Sequence, residues 1–376
     1  MSHPEFELES GLIYLNHAGV APWPRRTREA VIHFATENSR RGATDYPTWL
    51  RVEQRLRSNL QRILNAPSCD DIALVKNTSE AISMVAYGLD WQECDNIVTS
   101  NEEFPSNRIP WESLRDRGVE LRQADLTSAG TPEEALFALV DRHTRLITIS
   151  SVQYASGRRM DLERIGEFCH NRDILLCVDA IQSVGALQAN VQAWQADFVM
   201  ADGHKWLLGP EGLGFFYTTP RSRDLLRLTQ YGWHMVEHAG DYDRLEWQIA
   251  RSSRRFECGS PNMLGIYGLE ASTSLLLEIG MAKVERQVLA NAGWFIEKIA
   301  KDPRLQLLTP SKRHAGIVTF RPLKGDPTQL FAALRDHDII CAQRGGGIRL
   351  SPHLHNDEDE LETCLDIIGL WLNKAN

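Results

Sequence analysis

The chain alternates short apolar runs with stretches in which apolar residues recur three and four positions apart. Ile72–Val75, Asn96–Thr99, Val119–Gln123, Leu146–Ser150, Ile174–Val178, Phe198–Ala201 and Gly214–Thr218 read as strands. Between them lie helical patterns. In Asp161–Asn171, for example, Leu162, Ile165, Gly166, Phe168 and Cys169 form one stripe. Strand–helix alternation over this length predicts an α/β fold with a mainly parallel sheet covered by helices on both faces. In such sheets ligands bind beyond the carboxyl ends of the strands.

The texture changes near residue 265. A long helical run covers Gly265–Ala300, and a strand (Gly316–Phe320) and a helix (Thr328–Asp336) follow. A strand pair (Ile339–Ala342, Ile348–Ser351) and a last helix complete the chain. Asn356 is placed to cap that helix, with acids in its first turn where the dipole favours them. The pattern predicts a large domain over residues 12–270. A small α+β domain would be built from residues 1–11 and 271–376.

Composition narrows the function. The 376 residues are 43% hydrophobic and 24% charged, an ordinary globular mixture. A net charge of −9 argues against nucleic-acid binding and against a basic membrane anchor. No apolar stretch approaches the roughly 18 residues of a membrane helix. The first residues have neither the basic nor the apolar region of a secretion signal. Seven scattered cysteines without a C-x-x-C pair suggest free thiols in a reducing cytoplasm.

Three features follow strands. Lys205 comes just after the strand ending at Ala201, walled by Trp206, Leu207 and Leu208. Desolvation there lowers the amine's pKa and makes it a nucleophile toward an aldehyde. Asp179 ends the apolar run from Ile174, where a buried carboxylate either caps a helix or acts as counter-ion to a pyridinium nitrogen. Lys76-Asn-Thr-Ser-Glu lies between a strand and a helix, where hydroxyls and free amides bind phosphate. Phosphate seat, acid and lysine in this order describe a pyridoxal phosphate pocket.

The chain resembles the class V aminotransferases, a branch of the fold-type-I pyridoxal phosphate enzymes. That branch includes cysteine desulfurases, isopenicillin N epimerase-like proteins and kynureninase. The likeness runs from Ile13-Tyr-Leu-Asn-His-Ala-Gly to the final helix. It is carried by Asn77-Thr-Ser-Glu, Glu103-Phe-Pro-Ser-Asn-Arg-Ile-Pro-Trp, Val178-Asp-Ala-Ile-Gln-Ser, Gly203-His-Lys, Arg255-Phe-Glu-Cys-Gly-Ser-Pro-Asn and Ile348-Arg-Leu-Ser-Pro-His. The resemblance implies a seven-stranded large-domain sheet and a Schiff base on Lys205. It implies Asp179 at the pyridine nitrogen, Gln182 at the phenolic oxygen, and Thr78, Ser79 and His204 at the phosphate. Ser260 would reach the phosphate of a neighbouring subunit, giving a homodimer with shared sites. Arg349 would grip the substrate carboxylate.

Departures from the family pattern shape the expected reaction. Phe104 stands where desulfurases carry a ring-stacking histidine, and it stacks but does not titrate. Asp202 replaces a phosphate-binding serine and is expected to point away from the phosphate. Either Gln153 or Tyr154 faces the cofactor. Only Cys341-Ala-Gln-Arg-Gly-Gly-Gly-Ile lies between Ile340 and Arg349, and Cys341 reads as a buried strand thiol. These features predict an aminotransferase, with a C–S lyase or epimerase as the alternative, and not a cysteine desulfurase. His17, Tyr46 or His353 would supply any acid the reaction needs, and His17 and Tyr46 are expected at the substrate.

Two competing patterns remain. His234-Met-Val-Glu-His238 matches the H-x-x-E-H zinc-peptidase motif, which needs a helix to bring both histidines to one face. Arg25–Arg62 carries nine arginines against four acids. That is the composition of a solvated helical face, or else Arg25, Arg26 or Arg51 meets an anionic substrate.

Overall fold

A computed structural model describes residues 3–128 and 130–375; residues 1 and 2, the start of the expected small domain, lie outside them. The central sheet has seven strands. Across it run Ile72–Val75, Gly214–Thr218, Phe198–Asp202, Leu175–Asp179, Thr144–Ser150, Asn96–Ser100 and Glu120–Ala124. The last five run parallel, and Gly214–Thr218 is antiparallel to both its neighbours. Strands covered on both faces have no polar side, which explains the continuous apolar runs. Leu176, Cys177 and Val178 are all fully buried. The register sets Ser150 opposite Asp179 and Asp179 opposite Met200. The ends of three neighbouring strands therefore come to one edge.

A four-stranded antiparallel sheet follows in the order Ala342–Arg344, Gly347–Leu350, Val318–Pro322, Leu305–Leu307. Ile13–Tyr14 pairs in parallel with Ile339–Ile340, and Asn16 bridges Ser351. The N-terminal segment is thereby tied to chain more than 300 residues away.

Three expected elements differ. The expected strand Ile339–Ala342 is divided between two sheets: Ile339–Ile340 pairs with Ile13–Tyr14, and Ala342–Arg344 with Gly347–Leu350. The single helical run from Gly265 is two helices, Met263–Ile279 and Met281–Lys301. Gly280 takes φ 88° between them, a left-handed value that ends a helix and suits glycine. Asn356 does not cap the last helix, Glu358–Ala375. Its amide instead donates to Tyr14 O and Glu360 and accepts from His353 N–H, while Asp357 accepts the Glu360 N–H. Among the described residues no helix is long and apolar enough to cross a membrane.

Candidate active site

The strand ends open on a cavity of about 430 Å³ lined by Thr78, Ser79, Phe104, Asp179, Gln182, His204, Lys205 and Arg349. Each side chain arrives there for a local reason. Asn77 accepts the Glu80 N–H and caps the 11-residue helix Thr78–Gly88, so the helix begins at the cavity. Thr78 Oγ1 is buried with no partner among the described residues. Ser79 Oγ donates to Ser106 Oγ at 2.9 Å. Helix-start amides with spare hydroxyls make an anion seat.

Asp179 closes its strand and is 2% exposed. Among the described residues, the only hydrogen bond its carboxylate accepts is from the Ile181 N–H, at 3.0 Å. Burial pushes the carboxyl well above its usual range. The Ile181 amide opposes this, Glu103 adds to it and Lys205 opposes it. Burial pushes the Lys205 amine down, against the pull of Asp179, with Arg349 and Arg344 adding. A depressed amine is a nucleophile at neutral pH. Lys205 Nζ lies 5.6 Å from the centre of the Phe104 ring.

Arg349 is 3% exposed, and burial pushes its guanidinium down to about 10, so it stays charged at neutral pH. Its Nη1 donates to Tyr154 O at 2.8 Å and its Nη2 to Asn16 Oδ1 at 3.4 Å, while Nε is buried without a partner. A buried fork held by neutral acceptors keeps donor capacity for a carboxylate. Of the pair left open by sequence, Tyr154 lines the cavity, edge-on to Phe104. Gln153 is buried away and donates to Glu103 at 2.8 Å.

The other expected residues fall in several places, and His17 and Tyr46 lie off the cavity. Asp202 lines it, with Oδ1 3.0 Å from His204 Nδ1 and accepting the Gly203 N–H. Gln182 lines the cavity, but its amide is engaged, donating to Ala18 O and accepting from Trp206 Nε1. His17 lies behind the wall, fully buried, with Nδ1 3.0 Å from Ser351 O and its ring beside His353 and His355. Tyr46 lines a different cavity. Ser260, expected at a neighbouring subunit's phosphate and not at its own, is exposed and does not line the Lys205 cavity. Arg26 is paired with Glu5 and Glu278. Arg25, Arg26 and Arg51 do not line the cavity either. Sequence reasoning missed Ser106 and Arg344, both at the cavity. Arg344 had a signal, the three glycines after it.

The zinc motif does not form. Trp233–Met235 is a single 3₁₀ turn, followed by extended chain at Val236. His234 is buried, His238 is exposed, and Glu237 accepts the Arg251 N–H. His234 instead meets Glu53 and Glu257. Arg57 already occupies both carboxylates, at 2.6 Å to Glu53 and 2.7 Å to each oxygen of Glu257.

A buried carboxylate without a cation, a proton-poor amine and an orphan hydroxyl at a helix start fit pyridoxal phosphate: pyridine nitrogen, aldehyde and phosphate each find a matching group. The comparisons agree. A protein of Methanothermobacter thermautotrophicus named "Probable cysteine desulfurase" is 30% identical, over 95% of this chain and 95% of that one. The apo cysteine desulfurase of Thermococcus onnurineus NA1 superposes with a TM-score of 0.86 at 25% identity, covering 96% of this chain and 95% of that one. A C-DES mutant with glycine covalently linked to its pyridoxal phosphate shares the fold, with a TM-score of 0.88 at 20% identity over 95% and 96% of the two chains. The expectation that this is not a cysteine desulfurase is overturned by the names of these relatives. It rested on one loop and one ring, whereas the likeness spans the chain. The sequence profile of the family described as Aminotransferase class-V matches residues 13–363, and the protein belongs to that family of pyridoxal phosphate enzymes.

Proposed function

We propose that the protein cleaves the bond between Cβ and sulfur in a sulfur-bearing α-amino acid. The observation that carries this reading is the near full-length likeness to a protein named a probable cysteine desulfurase. The cavity's chemistry supports it. Bound pyridoxal phosphate supplies an electron sink for the pair released at the substrate's Cα. Thr78, Ser79, His204 and the amides beginning Thr78–Gly88 hold its phosphate. Asp179 would keep a proton on its ring nitrogen. Lys205 Nζ would hold its aldehyde and would take the proton from the substrate's Cα. Phe104 would shield the site from water. Arg349 holds the α-carboxylate with its planar fork. Tyr154 presents the one phenol at the cavity and protonates the departing sulfur.

The proposal includes a cytosolic homodimer. Ser260 is exposed off its own cavity. Cys258, just before it, packs on Gly232 beside the exposed Tyr231 and Trp233. The sedimentation mass checks it. A second reading, amino transfer, is favoured by Phe104, which offers no proton.

Incubation with cysteine, cystine and S-alkyl cysteines separates the reactions. Alanine with released sulfane sulfur, or pyruvate with ammonia, supports C–S cleavage. A keto acid that keeps the donor's carbon skeleton and sulfur, with amination of the cofactor, overturns it in favour of amino transfer.

A further inference from the structure

Two guanidiniums line the Lys205 cavity, those of Arg349 and Arg344. They stand on adjacent strands, with Ala342 opposite Arg349 and Arg344 opposite Gly347. Opposed residues share a face and alternate residues return to it, so Arg344 and Arg349 are diagonal neighbours on one face, about 7–8 Å apart along the backbone. The turn between them holds that spacing. Gly345 and Gly346 take φ 58° and 77°, the two left-handed positions of a tight hairpin whose twist matches its strands.

Neither guanidinium meets a carboxylate within ion-pair distance among the described residues. Arg349 is held by Tyr154 O and Asn16 Oδ1, and Arg344 donates to its neighbour's carbonyl, Gln343 O, at 2.8 Å. Some arginines of this chain are neutralised, Arg122 by Glu120 and Asp141 and Arg26 by Glu5 and Glu278. Others, such as Arg172 and Arg254, bond only carbonyls, but Arg344 and Arg349 are the two that line the Lys205 cavity. Two like charges facing one cavity repel, and Arg344 depresses the Arg349 guanidinium. Arg349 is buried and Arg344 exposed, so water serves Arg344, and an anionic ligand would relieve the repulsion between the two. One α-carboxylate accounts for Arg349 and leaves Arg344 over.

We propose that Arg344 determines specificity by binding a second carboxylate of the substrate, so that the site prefers amino acids with an anionic group beyond Cβ. Combined with C–S cleavage, which is the reading above, the substrate class is cysteine S-linked to a carboxylate-bearing group, as in a disulfide or an S-carboxyalkyl derivative. The charge argument stands without that reading.

The test uses the cofactor-loaded protein and two isosteric amino acids without a leaving group, glutamate and glutamine. Each is titrated while the cofactor's absorbance is followed. A charge-assisted fork predicts that glutamate binds about ten- to a hundredfold more tightly. The ratio falls toward one in Arg344→Gln and shrinks with added salt. A wild-type ratio near one, binding of neither amino acid, or a ratio unchanged in Arg344→Gln overturns the proposal. Weakened cofactor binding in Arg344→Gln, with the ratio intact in the fraction that stays loaded, also overturns it, since Arg344 then serves the cofactor phosphate. Failure of every sulfur amino acid to react removes the C–S reading and leaves this ratio standing.

Discussion

Two of the buried charged clusters of this chain are treated in opposite ways. Around Arg57 the account is closed. The guanidinium is bidentate to Glu257, bonds Glu53 at 2.6 Å and Ile72 O at 2.8 Å, and Glu257 also accepts the Leu74 N–H. Burial works against the Arg57 charge, and Glu257 and Glu53 more than restore it. Around Lys205 the account is open. Asp179 and Lys205 are pushed toward their neutral forms, and among the described residues Thr78 Oγ1 and Arg349 Nε have no partner and the two cavity arginines meet no carboxylate. A closed cluster locks structure, and an open one is complete only with a ligand. A motif search alone points to the wrong cluster, because His234 belongs to the closed one.

Breaking the open cluster should cost activity more than stability. Lys205→Ala is expected to lower turnover by on the order of 10⁴ or more, since nucleophile and proton carrier vanish together. Borohydride should no longer fix the cofactor to the protein, while thermal unfolding stays near that of the parent. Turnover close to wild type in this variant would sink the assignment. Asp179→Asn should retain cofactor and lose about a thousandfold in rate, some 4 kcal/mol of transition-state stabilisation. Near-normal kinetics would reduce Asp179 to a turn-former for Ile181.

Breaking the closed cluster should do the reverse. Arg57→Ala strands two buried carboxylates and is expected to cost about 3–5 kcal/mol of stability. Denaturant midpoints measure it, and turnover per folded molecule should hold. A variant of normal stability would mean that the ion triad contributes nothing net.

A third buried set sharpens the contrast through pH. Burial pushes His353 down to about 4 and His355 to about 3, and His17 is also lowered by burial, with the other two histidines adding. A histidine lowered in the folded state is neutral there while the unfolded chain still takes up protons. Its contribution is therefore complete above about pH 6.5 and is lost as pH falls toward 4 and then 3. Stability should drop by a few kcal/mol across that window. His355→Phe, whose ring is already stacked on Phe6, should flatten the slope; an unchanged slope would discard these histidines as its source. The smallest effect is expected at the zinc motif. His238→Ala, at an exposed side chain, should change stability by less than about 0.5 kcal/mol. Stoichiometric zinc lost with that substitution would revive the motif.

The strand runs of the central sheet were legible because a strand covered on both faces must be apolar throughout. Ile72–Val75 and Gly214–Thr218 match residue for residue, and the others shift by one or two positions. Lys205, Asp179 and Thr78 were legible for the same reason: each follows such a strand, and strand ends are where this architecture leaves room. Chain order could not show what depends on distance across the fold. It placed His17 and Tyr46 at the substrate, but one is fully buried beside His353 and His355, outside the cavity lining, and the other lines a separate cavity. It joined His234 to His238, although the chain turns after Met235 and hands His234 to acids 181 residues before it and 23 after it. It left Arg344 unmarked, because only the register of the hairpin puts that side chain on the face of Arg349. Local pattern reports which residues must avoid water. Which buried charges find partners, and which are left facing a cavity, is decided only when distant segments pack, because neutralisation depends on ångströms between side chains and not on their separation along the chain.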